Sequence, residues 1–140
     1  KLSEAVLSGQ ALRVQRMLDG LRAEGEAEVL VHYTLAEDIR ALKRVKDATA
    51  QGRPLPLALK EQRIWGQRER HFARVLPRLS EAALADLLQA AHQVDGIVKG
   101  LKRPDWPLDG WRALHGLALQ LCALCDSGVA QPGPRGKMPA

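Results

Sequence analysis

Apolar residues recur along this chain every three or four positions and rarely alternate with polar ones. The clearest example is a stripe formed by Val31, Leu35, Ile39, Leu42 and Val45. This spacing places the stripe on one face of an α-helix, whereas a half-buried strand requires a period of two. The pattern predicts an amphipathic helix over 28–50, which the glycine and prolines of 52–56 bring to an end.

The same spacing predicts helices over most of the remaining chain. In chain order these helices cover 10–24, 67–76, 80–98 and 107–125, with a short helix around 3–7 and a short helical or irregular piece over 57–65. Ser80 is suited to cap the helix that follows it, and Pro107 is favoured at the first position of a helix. Because no segment shows a convincing strand pattern, we predict an all-α fold, a compact bundle of five or six helices.

Length and composition are consistent with a single small domain. A chain of 140 residues buries roughly two-thirds of its unfolded surface. Aromatic residues make up only 4% of the chain, so the core is expected to be mainly aliphatic. We predict a helical domain over 1–126 and, from the small residues, glycines and prolines that follow it, a disordered tail over 127–140.

No apolar run approaches the roughly 20 residues that a membrane-spanning helix requires. No signal peptide is recognisable, so we expect a cytoplasmic protein without a membrane partner. The chain starts at Lys1 rather than at methionine, which leads us to expect a fragment of a longer protein or a processed chain.

Positive charge is concentrated in the middle of the chain. The net charge is +5, and residues 37–78 contain eleven Lys and Arg against five acidic residues. Such asymmetry favours a polyanionic or acidic partner. A solvated helix surface would give the same pattern, so the excess alone does not decide between these interpretations.

The chain contains no recognisable catalytic, cofactor or metal motif. Glycine-rich phosphate loops and a G-x-S-x-G elbow are missing from the sequence, and the four histidines are scattered. Cys122 and Cys125 match C-x-x-C, but they lie in an apolar helix with no second pair. Cysteines in this setting are usually small core residues. We therefore expect no enzymatic activity, cofactor or metal.

Two tryptophans stand beside basic residues at predicted helix breaks. Trp65 lies in the stretch Arg63–Leu76, and Trp106 follows a basic loop. Exposed aromatics beside basic groups can stack on the bases of single-stranded nucleic acid. Alternatively, each tryptophan fills the junction between two helices. The candidate DNA contacts are Arg63, Trp65, Arg68, Arg70, Arg74, Lys102, Arg103 and Trp106.

One carboxylate falls within an apolar stripe. Asp95 is on the stripe of its helix by rotation of 100° per residue, and Lys99 follows one turn later. A buried carboxylate needs a partner, and the acid precedes the base in the favourable order. We predict a structural ion pair, with an intersubunit contact as the alternative.

Several short motifs occur together in a recognisable order. They are Met17–Gly25, Leu35–Leu42, Arg63–Trp65, Leu79–Ser80, Val94–Asp95 with Lys99, and Trp111–Leu114. In this order and spacing, the chain from Ser3 to Cys125 resembles the C-terminal domain of the delta subunit of bacterial DNA polymerase III, a clamp-loader component.

The resemblance implies a collar domain of the post-AAA+ oligomerisation type. Its partners would be the collars of gamma/tau and delta prime, and it would be part of the DNA polymerase III holoenzyme, a DNA-directed DNA polymerase, during DNA replication. Template DNA would pass nearby, with Trp65 and Trp106 facing its path. ATP binding and contact with the sliding clamp would belong to other domains. The alternative is a free-standing nucleic-acid-binding domain of helix-turn-helix type.

Overall fold

The computed structural model describes residues 1–101 and 109–126, and within these ranges the chain is all-helical. The helices are α1 (Leu2–Leu7), α2 (Ala11–Ala23), α3 (Glu28–Ala50), α4 (Leu55–Glu61), α5 (Gly66–Val75), α6 (Glu81–Val98) and α7 (Gly110–Cys125). A short 3₁₀ turn, Leu76–Arg78, joins α5 to α6. The predicted all-α bundle is confirmed, and the predicted disordered tail lies outside the described residues.

Two helices begin more than one residue away from the expected position. Helix α4 begins at Leu55, ahead of Pro56, because proline is tolerated in the first turn, where its missing N–H would have no partner in the helix. Helix α7 begins at Gly110, because the Asp109 carboxylate accepts a hydrogen bond from the Trp111 amide at 3.0 Å. Pro107, the expected start, lies outside the described residues.

Helix α3 is the central element of the core. It packs along α6 and α7 and also contacts α1 and α4. The apolar stripe expected from the sequence is buried throughout, with Leu35, Ile39 and Leu42 fully excluded from solvent. Each such side chain contributes about 1.5–3 kcal/mol by burial. The fold therefore depends mainly on aliphatic packing around one long helix.

Among residues 1–101 and 109–126, none of the helices combines the length and the apolar character that a membrane span requires.

The C-terminal ends of α1 and α7 meet beside α5. The Arg74 guanidinium donates from Nη2 to the Leu7 carbonyl at 2.6 Å and from Nη1 to the Cys125 carbonyl at 2.8 Å. Arg78 donates to the Asp126 carbonyl at 2.9 Å. The last carbonyls of a helix have no partner within it and carry partial negative charge. The two arginines therefore satisfy these groups and join three parts of the chain.

Gly9, in the turn between α1 and α2, lets two backbones approach closely at the same junction. Its φ is +75°, and a Cβ added there would collide with the Cα of Asp126. Gly25 has a similar φ of +78°, but a Cβ added there would meet open space. The two glycines thus separate the cost of a left-handed backbone from the cost of a collision.

We expect Gly9→Ala to lower the free energy of unfolding by clearly more than Gly25→Ala. Gly25→Ala should lose only the conformational term, about 1–2 kcal/mol, whereas Gly9→Ala must also displace the end of α7. Urea unfolding followed by circular dichroism measures both changes. Equal losses for the two variants would contradict a close approach of the Gly9 and Asp126 backbones.

Candidate nucleic-acid interface

The turn between α4 and α5 holds Trp65 on the surface. Ile64 is buried, whereas the neighbouring Trp65 is 65% exposed. The Ile64 amide donates to the Leu59 carbonyl at 2.9 Å and the Arg63 amide to the Lys60 carbonyl at 2.9 Å. With one side chain anchored in the core and two backbone hydrogen bonds, the turn directs the next residue outwards. An indole with this exposure favours a surface role over filling a helix junction.

The backbone of this turn is unusual on both sides of Trp65. Arg63 has a φ of +60°, and among the described residues it is the one position other than glycine with a positive φ. Gly66 follows with a φ of +70°. A left-handed conformation at a residue with a side chain costs about 1–2 kcal/mol. Buried Ile64 and the backbone hydrogen bonds offset this cost and hold the turn in one shape.

The four arginines of the stretch Arg63–Leu76 divide into two groups. Arg63 and Arg70 are exposed, and within the described part of the chain neither has an acidic group within 4 Å. Arg68 instead lies 2.8 Å from Oδ1 of Asp38, whose side chain is only 4% exposed. Its guanidinium also stands 4.9 Å from the centre of the Phe72 ring.

Arg68 and Arg74 thus have internal partners. Removing Arg68 would leave the Asp38 carboxylate buried without its cation, which is expensive. Arg74 donates to two helix-terminal carbonyls, as described above. Both remain predicted DNA contacts from the sequence, but the geometry favours Arg63 and Arg70, whose guanidinium groups face solvent.

His71 adds no positive charge to this surface at neutral pH. Burial, and then the nearby Arg74 guanidinium, lower its pKa below the usual range. Its Nε2 is buried without a hydrogen-bond partner, and Nδ1 lies 3.5 Å from Nη2 of Arg74. Since Arg74 is a donor, Nδ1 accepts and Nε2 carries the proton in the neutral ring.

Most carboxylates of the basic segment 37–78 are already paired with its cations. Arg44 and Arg40 lie 2.8 and 3.4 Å from Glu37. Further pairs join Lys43 to Asp47 at 2.7 Å and Arg53 to Glu61 at 3.2 Å. The excess charge of the sequence is therefore not spread evenly over the surface.

Three exposed cations of this segment have no acidic partner among the described residues. They are Lys60, Arg63 and Arg70. Arg63 lies in the α4–α5 turn that presents Trp65, Lys60 lies in the last turn of α4, and Arg70 lies in the first half of α5. The turn therefore combines an exposed indole with free positive charge, which is the composition of a single-strand contact.

Comparison with known sequences agrees with this architecture. Residues 1–127 match the family described as the processivity clamp loader gamma complex, DNA polymerase III C-terminal domain. The chain belongs to this family.

A curated relative in Escherichia coli (strain K12), DNA polymerase III subunit delta, is 29% identical over 119 residues. The match covers 85% of the present chain but 33% of that relative. The chain thus spans about a third of the length of the relative. The resemblance inferred from the order of motifs is confirmed by both comparisons.

The second group of candidate contacts, Lys102, Arg103 and Trp106, lies outside the described residues. The described residue before it, Leu101, follows the end of α6. The start of α6 lies near the C-terminal half of α3, where Lys43 is 3.6 Å from Glu81. An 18-residue helix is about 27 Å long. Arg44, next to Lys43 on α3, donates to Gln62 of the α4–α5 turn at 2.6 Å. Leu101 and this turn therefore lie towards opposite ends of α6.

Asp95 of α6 lies close to Lys99, the residue that follows the end of this helix. Lys99 Nζ lies 3.0 Å from Asp95 Oδ1, and the carboxylate is 33% exposed. A residue that the sequence analysis missed is His32, whose Nδ1 is 3.8 Å from the same oxygen. His32 is buried, and its Nε2 lies 2.8 Å from the Ala91 carbonyl. Its place on the apolar side of α3 was the signal that could have identified it.

The two cysteines belong to the core. Both are free and buried, and burial raises the pKa of Cys125 to about 12 and also raises that of Cys122. The thiolate is the reactive form, so both side chains are poor nucleophiles at neutral pH. In the described part of the chain, no group of three or more His, Cys, Asp or Glu side chains could hold a metal ion.

We expect Arg74→Ala to lower the free energy of unfolding by about 2–3 kcal/mol, because two helix-terminal carbonyls lose a charged donor. Arg70→Ala is the matched control. It removes the same group from an exposed position and should change stability by no more than about 0.5 kcal/mol. Urea denaturation of both variants tests whether Arg74 has a structural role that Arg70 lacks. Similar losses of unfolding free energy in the two variants would contradict this difference.

Proposed function

We propose that this chain is the collar module of a clamp-loader delta subunit, which assembles with gamma/tau and delta prime and contacts single-stranded template DNA through the α4–α5 turn. The observation that carries the DNA contact is the exposed Trp65 between Arg63 and Arg70 in a chain of this family. The module contributes no catalysis of its own to the DNA polymerase III holoenzyme. A cytoplasmic location follows from the proposal, because bacterial DNA is replicated there.

The physical chemistry of the turn suits an unpaired strand. Stacking of one base on an aromatic side chain contributes about 1–3 kcal/mol and tolerates any sequence. Arg63 and Arg70 supply charge for phosphates, with release of condensed counterions. Because buried Ile64 already fixes the turn, little conformational entropy is lost when Trp65 engages a base.

Exposed leucines on several elements support contacts with neighbouring proteins. They are Leu12 on α2, Leu30 on α3, Leu57 on α4 and Leu101 after α6, all more than 40% exposed. Apolar side chains at the surface are usual one by one. Their distribution over separate faces is nevertheless consistent with a module that has a neighbour on more than one side.

We expect this chain to co-elute with the C-terminal domains of gamma/tau and delta prime in size-exclusion chromatography at micromolar concentrations. The collar interpretation also predicts weak, salt-sensitive DNA binding by the isolated chain. A mixture with an unrelated helical domain is the control. Tight DNA binding by the isolated chain, without association with either partner, would instead support a free-standing nucleic-acid-binding domain.

Trp65→Ala in the full-length subunit should reduce primer-template-dependent clamp loading, because the stacking surface for a template base is removed. Trp65→Phe should retain part of the activity, since it keeps an aromatic face. Gln15→Ala provides a control at an exposed position of α2. Helix content by circular dichroism should be the same in all three variants, and unchanged loading in Trp65→Ala would refute the DNA contact.

A further inference from the structure

The exposed face of α3 continues directly into the turn that presents Trp65. Tyr33, Glu37, Arg40 and Arg44 follow one another at helical spacing on this face. Arg44 Nε donates to Oε1 of Gln62, in the α4–α5 turn, at 2.6 Å. Gln62 precedes Trp65 by three residues, so their Cα atoms are at most about 10 Å apart.

This face has more positive than negative charge. Glu37 forms ion pairs with two guanidinium groups, at 2.8 Å from Arg44 and 3.4 Å from Arg40. The hydrogen bond from Arg44 lowers the pKa of Glu37, which therefore stays ionised at neutral pH. Exposed ion pairs of this kind contribute little to stability. A phosphate can therefore engage either arginine at small cost to the fold.

An aromatic side chain stands at the far end of the same face. Tyr33 is 60% exposed, and the Arg40 guanidinium carbon lies 6.0 Å from the centre of its ring. A guanidinium beside an exposed ring is a combination that stacks on bases and neutralises the adjoining phosphate.

The dimensions suit a short stretch of nucleic acid. From Tyr33 to Arg44, α3 extends about 16 Å at the α-helical rise. A stacked strand advances about 3.4 Å per nucleotide, so about five nucleotides match this length. The face is thus long enough to add several contacts to the one at Trp65.

We propose that a single strand stacked on Trp65 continues along the exposed face of α3, with phosphates on Arg44 and Arg40 and a base on Tyr33. This inference rests on the proposed function, because it takes Trp65 as the start of the track. Val29 and Leu30 beside Tyr33 are exposed and apolar, which makes a protein contact the competing interpretation. The two arginines on the face favour a polyanion.

The test uses the full-length subunit in its reconstituted clamp loader and primer-template DNA with a thymidine overhang of about 3 or about 10 nucleotides. The variants are Arg40→Gln with Arg44→Gln, and separately Tyr33→Ala. Arg13→Gln with Arg16→Gln, at two exposed positions of α2, is the matched control. Fluorescence anisotropy gives affinity over a range of salt concentrations, and mass photometry gives the assembly state.

On the long overhang, the double α3 variant should lower the slope of log affinity against log salt by about 1.4, as expected for two single-strand phosphates. Tyr33→Ala should weaken binding at least about fivefold, the low end of one lost stacking contact. On the short overhang neither change should matter. The α2 control should bind like the wild type with both.

Trp65→Ala separates this inference from the proposed function. Suppose that Trp65→Ala weakens binding on both overhangs, while the α3 variants show the same increase in affinity from the short to the long overhang as the wild type. The proposed path along α3 is then refuted and the Trp65 contact stands. If none of the variants changes binding, both ideas fail. If the α3 variants instead release a subunit from the loader, the face is a protein interface and the inference is overturned.

Discussion

The junction around Arg74 is the constraint on which the positions of α1, α5 and α7 depend. One guanidinium donates to the last carbonyls of two helices, Leu7 of α1 and Cys125 of α7. The close backbone approach at Gly9 and the bond from Arg78 to Asp126 fix the same region. Without these donors, partly buried carbonyl groups would have lost water without gaining a partner. The bundle therefore closes through charged hydrogen bonds at its periphery as well as through aliphatic packing.

Some arginines of the basic segment are bound within the protein, so not all of its positive charge is available at the surface. The segment 37–78 has a large positive excess in sequence, yet Arg68 and Arg74 contact buried groups of the protein itself. Free positive charge is left around the α4–α5 turn, at Lys60, Arg63 and Arg70. A charge count over the sequence thus overstates the number of groups available to a phosphate. The fold instead concentrates the positive charge that has no acidic partner around Trp65.

The family match identifies the kind of domain, and the geometry identifies the surface proposed to contact DNA. The match over residues 1–127 establishes the kind of domain, while among the described residues no group of three or more His, Cys, Asp or Glu side chains could hold a metal ion. The geometry adds a rigid turn, with Ile64 buried and Trp65 exposed, and a basic face of α3 that leads into it. The proposed scaffold role and the proposed DNA contact are compatible in one small domain, because the first needs helix faces and the second needs one preorganised turn.

The sequence by itself determined the helices and the core. The apolar period of α3 identified Leu35, Ile39 and Leu42 as buried, because local periodicity and burial are set by the same helical geometry. Capping explains one error in the boundaries, since Asp109 caps α7 and the helix begins at Gly110. The roles of the arginines were decided only by the tertiary structure. Arg68 and Arg70 are equivalent in sequence terms, but Asp38, 30 residues from Arg68 in the chain, engages one and leaves the other in solvent. Such long-range pairing depends on how helices pack, and no local pattern encodes it.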